Sequence, residues 1–483
     1  MAESFRARHG APSTVLAITA GAGIVHLSAP LHPERAGTPA ADHPAPGPGT
    51  AYRIASMTKS FTAAAVLQLR DRGRLRLDDA VEDHVPELAG LSGPTADSRA
   101  VTIRQLASMA GGLASDDPWA DRLLDADDVT MDALFRSGAT FATAPGTAFV
   151  YSNYGYAMLG RVITAAAGRP FQEHITAELL EPLGLAGTGW VPPPLSGAPQ
   201  GVAPACWLVD GKLVAEPVLA DGGFAAMGGL WSTAADIARW SGWLADAFPA
   251  RDGPDDPVLC RASRREMQQV ATAWPPQITA DGAGGAAPRV TAGGYGYGLN
   301  VALDSRLGFM VQHSGGLPGY GSNMRWLPNR GVGAVALANL RYAPARHLTL
   351  AALDLLADAG AVAERPEPPP AELAAAAERL VALLNRWDDG PASELFAFNV
   401  DLDEPLARRR QQAAERLAGH GPLAIRSIRA VNRAEADVEV VDGRGHRVLL
   451  AIMLSGEPGA RIQWYELDEP PPAQPPHAAT DEP

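Results

Sequence analysis

The hydrophobic pattern of this chain changes period twice. Residues 13–19 and 22–27 read as two short strands joined by a glycine-containing turn. A Pro/Gly/Ala-rich loop follows, from about Pro30 to Thr50. The period then becomes helical, with an apolar helix predicted from about Ser56 to Arg72 and stopped by Gly73. From about Leu75 to Ala280 the chain reads as amphipathic segments and long loops. "TIRQLASM", "GYAMLGRVITAAAG" and "ADIARWSGWLADAF" place apolar residues three and four apart.

Strand character returns near Tyr295, in "GYGLNVAL", "GFMVQH", "SNMRWL" and "GVGAVALANL". The last two are joined by Pro328-Asn329-Arg330-Gly331, a hairpin signal. A helix from about Ala345 to Ala359 closes the unit. Strands at both ends with helices between predict one antiparallel sheet built from the two chain ends, beside a helical insertion. The fold class is thus α/β, two-lobed, with a small-molecule site expected in the cleft between lobes.

The stretch "ERPEPPP" reads as a linker. The expected organisation is a domain over 1–360, a proline-rich linker over 361–371, a small α+β module over 372–468 and a disordered tail over 469–483. The module's pattern gives two helical stretches and then three or four strands, with an Asp442-Gly443 turn between two of them. By element order alone it resembles NTF2-like or small lipocalin-like domains. A lid, a homodimer contact or a spacer is each an open role for it.

Composition narrows the function. At 483 residues with a net charge of −14, the chain lacks the basic face that a nucleic-acid partner requires. No apolar run approaches the ~20 residues of a membrane span, so no membrane partner is expected. The N-terminal pattern alternates like a strand and is broken by Gly21 and Gly23, so cytoplasmic is the expected location unless a leader has been trimmed. Cys206 and Cys260 fit no ligand spacing; no metal and no cofactor is implied.

The chemistry starts from a bias. Of 40 basic residues 38 are arginine, and lysine stands only at Lys59 and Lys212. Lys59 lies three residues after Ser56, on the same face of the predicted helix. A serine at a helix start has its hydroxyl beside the free N–H groups of the first turn. A buried lysine can lose its proton and act as a base, which arginine cannot do. Alone, this spacing is a weak motif.

Two further motifs strengthen it. "TAPGTAFVYSNYGYAMLG" carries Tyr151-Ser-Asn153 just before a helix, and "FMVQHSGGLPGYGSN" carries His313-Ser-Gly-Gly316 at a strand end. Taken singly, Tyr151 and His313 would serve as core residues and Asn153 as a helix cap. Together, in the order Ser-x-x-Lys, Tyr-x-Asn, His-x-Gly, they resemble the penicillin-recognising serine hydrolases. That superfamily includes class C β-lactamases, D-alanyl-D-alanine carboxypeptidases and β-lactamase-fold esterases. "DGGFAAMGGLWSTAADIARW" also looks like a Gly-Gly-Leu-x-Ser-Thr-x-x-Asp segment of that family, and the resemblance covers about residues 12–358.

The resemblance implies roles. Ser56 would be the nucleophile that forms an acyl-enzyme. Lys59 and Tyr151 would share its proton and later activate the deacylating nucleophile. Asn153 would orient Lys59 and the acyl group, and His313 stands where many members have lysine. The N–H groups of Ser56 and Gly316 would form the oxyanion hole. Gly315 would leave room for substrate along the strand edge, and Trp119, Trp231 and Tyr320 are candidate substrate contacts. Three functions compete. One is a serine hydrolase acting on a small-molecule or peptide ester or amide, with a D-amino-acid peptidase or β-lactamase as narrower forms. The second is a peptidyl acyl-transferase or cyclase, and the third is a non-catalytic sensor.

Overall fold

An eight-stranded antiparallel sheet joins an early hairpin to strands that come from much later in the chain. The structure, a computed structural model, describes residues 1–31, 44–91, 93–194, 197–279, 288–362 and 368–468. Most of the early loop, the centre of the linker and the tail from 469 lie outside the described residues. Two compact units emerge, Met1–Glu364 and Arg365–Pro483.

In the first unit, strands β1 (Thr14–Ala20) and β2 (Gly23–Ser28) form the N-terminal hairpin. Short strands β3 (Ala51–Arg53), β4 (Cys206–Val209), β5 (Lys212–Ala215) and β6 (Trp231–Thr233) lie outside the main sheet, as the pairs β3·β6 and β4·β5. The sheet continues with β7 (Thr272–Thr279), β8 (Arg289–Tyr295), β9 (Asn300–Asp304), β10 (Gly308–Leu317), β11 (Tyr320–Leu327) and β12 (Val332–Ala338). Its order is β2-β1-β12-β11-β10-β9-β8-β7, so β1 pairs with β12 from the far end of the unit.

Side chains of a strand point alternately to the two faces. On β1, Val15 and Ala17 join one buried cluster, while Leu16 and Ile18 join another. Both faces are therefore covered, and β1 is buried along nearly its whole length. The first cluster includes helices α1 (Thr58–Asp71), α2 (Asn153–Ala167) and α3 (Ala234–Ala245). The second includes α4 (Ala345–Asp358) and the N-terminal helix Ala2–His9.

Two strands before Tyr295 were hidden in the sequence: β7 in the region read as helices and loops up to Ala280, and β8 in the stretch that follows it. β7 carries Pro275 and Pro276, and a bulge between Trp274 and Gln277 interrupts its pairing with β8. Proline is tolerated there because β7 is an edge strand. β8 contains Gly293 and Gly294, which mask its strand pattern; a Cβ on either would meet a neighbouring strand's carbonyl at about 2 Å.

The second unit has helices α5 (Ala371–Asn385) and α6 (Leu406–Arg416) with two short helices between them. An open antiparallel meander follows: β13 (Ala424–Ala430), β14 (Glu435–Val441), β15 (Arg447–Leu454) and β16 (Ile462–Asp468). Burial alternates along β14 and β15, and the buried positions pack with Leu373, Leu380 and Leu383 of α5 in the unit's own core.

Candidate active site

Ser56 sits in a single 3₁₀ turn, Ala55–Met57, that leads into α1. Its predecessor Ala55 is fully buried and has φ of 50°, a left-handed conformation that costs a non-glycine residue free energy. The surroundings hold that turn. The Ile54 N–H donates to the Leu230 carbonyl at 3.0 Å, and the Ser322 hydroxyl donates to the Ile54 carbonyl at 2.8 Å. Gly315 of β10 lies so close that a Cβ would stand 2.1 Å from the Ile54 oxygen.

Lys59, one turn later, is completely buried. Its Nζ lies 3.0 Å from Ser56 Oγ, 2.6 Å from Asn153 Oδ1 and 2.7 Å from the Met227 carbonyl. Burial lowers the pKa to about 8, against the opposing pull of Asp117, Asp116 and Asp121. The geometry fixes where a neutral amine keeps its lone pair. Carbonyl oxygens only accept, so the two remaining N–H bonds go to Asn153 and Met227, and the lone pair faces the Ser56 hydroxyl.

Asn153 is the first residue of α2, and Ser152 is that helix's cap, accepting from the Gly155 N–H. Asp116 supports the same helix start by accepting the N–H groups of Asn153 and Tyr154, each at 2.8 Å. Asp117 accepts from Asn153 Nδ2 at 2.6 Å, which turns the amide so that its oxygen faces Lys59.

Tyr151 is half-buried, with its ring 4.9 Å from Lys59 Nζ. Burial raises its pKa well above the usual value, although a hydrogen bond with Ser56 works the other way. The phenol thus keeps its proton at neutral pH. His313 is buried and neutral, its pKa lowered to about 3 by burial and by the nearby Lys59 charge. Its Nδ1 lies 2.6 Å from the Ser314 carbonyl, so Nδ1 carries the proton, and Nε2 accepts from the Tyr295 hydroxyl at 2.8 Å. Both ring nitrogens are engaged inside the protein.

Gly316 lies next to the β10–β11 turn. Leu317 pairs with Tyr320 across two turn residues, so ladder bonds fall at 317/320 and 315/322, and the Gly316 backbone faces away from β11. On that side β9 pairs no further than Gln312↔Asn300, which leaves the Gly316 N–H facing the cleft.

The cleft has a volume of about 360 Å³ and is lined by Ser56, Tyr151, His313, Gly315 and Gly316. Asp117 also lines it, from the Asp116–Trp119 stretch whose sequence pointed to the cleft, as do Asp121, Tyr342 and Arg346; these last three were missed because no motif links their separate segments. The Tyr342 hydroxyl donates to Asp121 at 2.8 Å, and burial raises the Asp121 pKa to about 6. Trp231 and Tyr320, candidate substrate contacts by motif adjacency, are corrected: both are about 1% exposed and belong to the core. The Trp231 ring instead covers Arg53, and the Tyr320 hydroxyl donates to the Ala203 carbonyl. Trp119 is 45% exposed but packs edge-on against Tyr154 and Phe224, and it is not among the cleft-lining residues.

A family model described as beta-lactamase matches residues 1–359. The chain belongs to the beta-lactamase family. As a member it belongs to the penicillin-recognising serine hydrolases, as the motif order implied. Its beta-lactamase sheet and helical layers are shared with the octameric penicillin-binding protein homologue from Pyrococcus abyssi, at a TM-score of 0.60, 20% identity and 94% coverage of each chain. A D-stereospecific amidohydrolase from Streptomyces sp. gives 0.56 and 23% identity over 73% of this chain and 96% of that one. In sequence, Protein flp of Staphylococcus aureus is 34% identical over 144 residues, which are 30% of this chain and only 28% of that protein. D-alanyl-D-alanine-carboxypeptidase/endopeptidase AmpH of Escherichia coli is 25% identical over 298 residues, 58% of this chain and 69% of AmpH. Among the described residues no helix is long and apolar enough to cross a membrane.

Proposed function

We propose that this beta-lactamase family member is a serine hydrolase that works through an acyl-enzyme on Ser56. The observation that carries the reading is the Lys59 amine, buried, 3.0 Å from the Ser56 hydroxyl and with a pKa near 8. Lys59 takes the hydroxyl proton as Ser56 attacks an ester or amide carbonyl. Tyr151, which stays protonated, relays a proton to the leaving group. The Ser56 and Gly316 N–H groups receive the developing oxyanion. Asn153 keeps Lys59 in place, and His313 stiffens the β10 edge through its two internal hydrogen bonds. Deacylation reverses the proton path with water as nucleophile.

The cleft wall supports a substrate class. Its lining combines the carboxylates Asp117 and Asp121 with the exposed Arg346, charges of both signs that suit an amino-acid or peptide ester or amide. The names of AmpH and the amidohydrolase point to the same class. The acidic wall would also attract an amine, which supports acyl transfer to an amine acceptor as a second reading.

Intact mass spectrometry after treatment with a fluorophosphonate probe tests the mechanism. One adduct is expected on the native protein and none on Ser56→Ala; equal labelling of the two would refute the assignment. Esters of D- and L-amino acids, offered with and without an added amine, separate hydrolysis from transfer by product mass.

A further inference from the structure

The second unit brings together His420 and, about twenty residues further on, Asp442 and His446 of one turn; the three belong to no motif. Asp442 directly follows β14 and opens the turn into β15. Its Oδ1 accepts the Arg444 and His446 N–H groups at 2.8 and 2.9 Å, which fixes the carboxylate in that turn. Its Oδ2 is turned the other way, 3.0 Å from His446 Nδ1 and 3.8 Å from His420 Nδ1, with the Gly421 N–H at 3.3 Å. The carboxylate side chain is fully buried, and its ion-pair partners among the described residues are these two histidines. His420, from the loop after α6, is 17% exposed, and its Nδ1 is buried with no hydrogen-bond partner. The two imidazoles meet edge-on, with ring centroids 5.6 Å apart.

We propose that His420, Asp442 and His446 form a binding site for a divalent transition-metal ion, with Zn²⁺ the best fit. One donor atom from each residue lies within 4.8 Å of the others. Metal–ligand bonds of about 2.0–2.2 Å at tetrahedral angles place neighbouring donors about 3.4 Å apart. The two separations from the carboxylate, 3.0 and 3.8 Å, bracket that value. Two imidazole nitrogens with one carboxylate suit Zn²⁺, Ni²⁺ or Cu²⁺ and disfavour Ca²⁺ and Mg²⁺, which take oxygen ligands. The backbone bonds to Oδ1 supply the outer support that orients a metal-binding carboxylate. The unpartnered His420 nitrogen gains the bond that it lacks. His446, whose side chain is 57% exposed, gives an entry path and can swing by the small distance that closure requires. Bound metal would tie the loop after α6 to the β14–β15 turn. The competing occupant of the same space is a proton, which would leave an imidazolium–carboxylate cluster that takes up no metal.

The test uses the untagged full-length chain, stripped with a chelator and dialysed, then titrated with ZnCl₂ near neutral pH in a calorimeter. One equivalent is expected to bind, raising the thermal unfolding midpoint, and Co²⁺ is expected to give the visible absorption of a nitrogen/oxygen site. His446→Ala, at an exposed side chain, and His420→Ala should each weaken binding at least tenfold and abolish the shift in midpoint. Circular dichroism establishes that each variant is folded. Absence of uptake by the native chain would overturn the site, as would undiminished uptake by both folded variants.

Discussion

At the residue scale the reading rests on a proton. Replacing Lys59 with arginine keeps a positive charge but removes the group that can give it up, and a guanidinium is larger than the pocket formed by Ser56, Asn153 and Met227. Lys59→Arg is expected to lose ester turnover on the order of 10³-fold or more, about as much as Lys59→Ala. Steady-state kinetics with circular dichroism as a folding control checks this; near-native turnover in the arginine variant would remove lysine as the base. The pH profile follows with a definite sign. The reactive form is the neutral amine, and the pKa is depressed to about 8, so kcat/KM should rise through that pH and level off above it. At pH 7 about a tenth of the molecules carry the neutral amine. A profile already flat from pH 6 upward would contradict the assignment. Ser56, Lys59, Tyr151, Asn153 and Gly316 were legible because their order and spacing survive in one dimension. The orientation of Asn153 was not, because it depends on Asp117 from a separate loop.

At the element scale the Ser56 turn is held by close approach rather than by its own sequence. Gly315→Ala would place a Cβ 2.1 Å from the Ile54 oxygen, 2.3 Å from Ser322 Oγ and 3.0 Å from the Ala55 Cβ. Either β10 or the strained Ala55 turn has to move. The expected result is a loss of about 1–3 kcal/mol in stability together with a fall in kcat. Gly23→Ala, where the nearest atom would be 3.8 Å from the new Cβ and φ is not positive, is the control and should be silent. Denaturant melts and ester kinetics on the two variants decide; an active, stable Gly315→Ala protein would show that the approach is not tight. The segment "GGLWSTAAD" has its use at this scale too. Met227, just before it, presents its carbonyl to Lys59, and Leu230 accepts from Ile54, while Trp231 and Thr233 pair β6 with β3. The motif is therefore a brace behind the nucleophile, which explains why its tryptophan is buried. The β7 and β8 strands escaped prediction because prolines and glycines that usually end a strand are tolerated at an edge and at a close strand crossing.

At the scale of the whole molecule each unit has its own core: one unit's clusters lie within residues 2–362, and the other's lies within 373–467. A chain ending at Glu364 is expected to fold and to retain probe labelling at Ser56, because the first unit already contains the eight strands, their helices and every residue lining the cleft. Size-exclusion chromatography and labelling of the truncated chain test this; aggregated material would mean that the first unit is not an independent domain. The sequence by itself pointed to Ser56 and Lys59 as the proposed nucleophile and base, to the motif order, to the sheet built from early and late strands and to a second unit after the proline-rich stretch. These are properties of local period and spacing, and burial follows from them directly. Tertiary structure alone decided the rest. It set the acidic wall with Arg346 around the cleft, the inward engagement of His313 and the meeting of His420 with Asp442 and His446. Each depends on which separate loops or strands come within a few ångströms of one another, and spacing along the chain does not encode that distance.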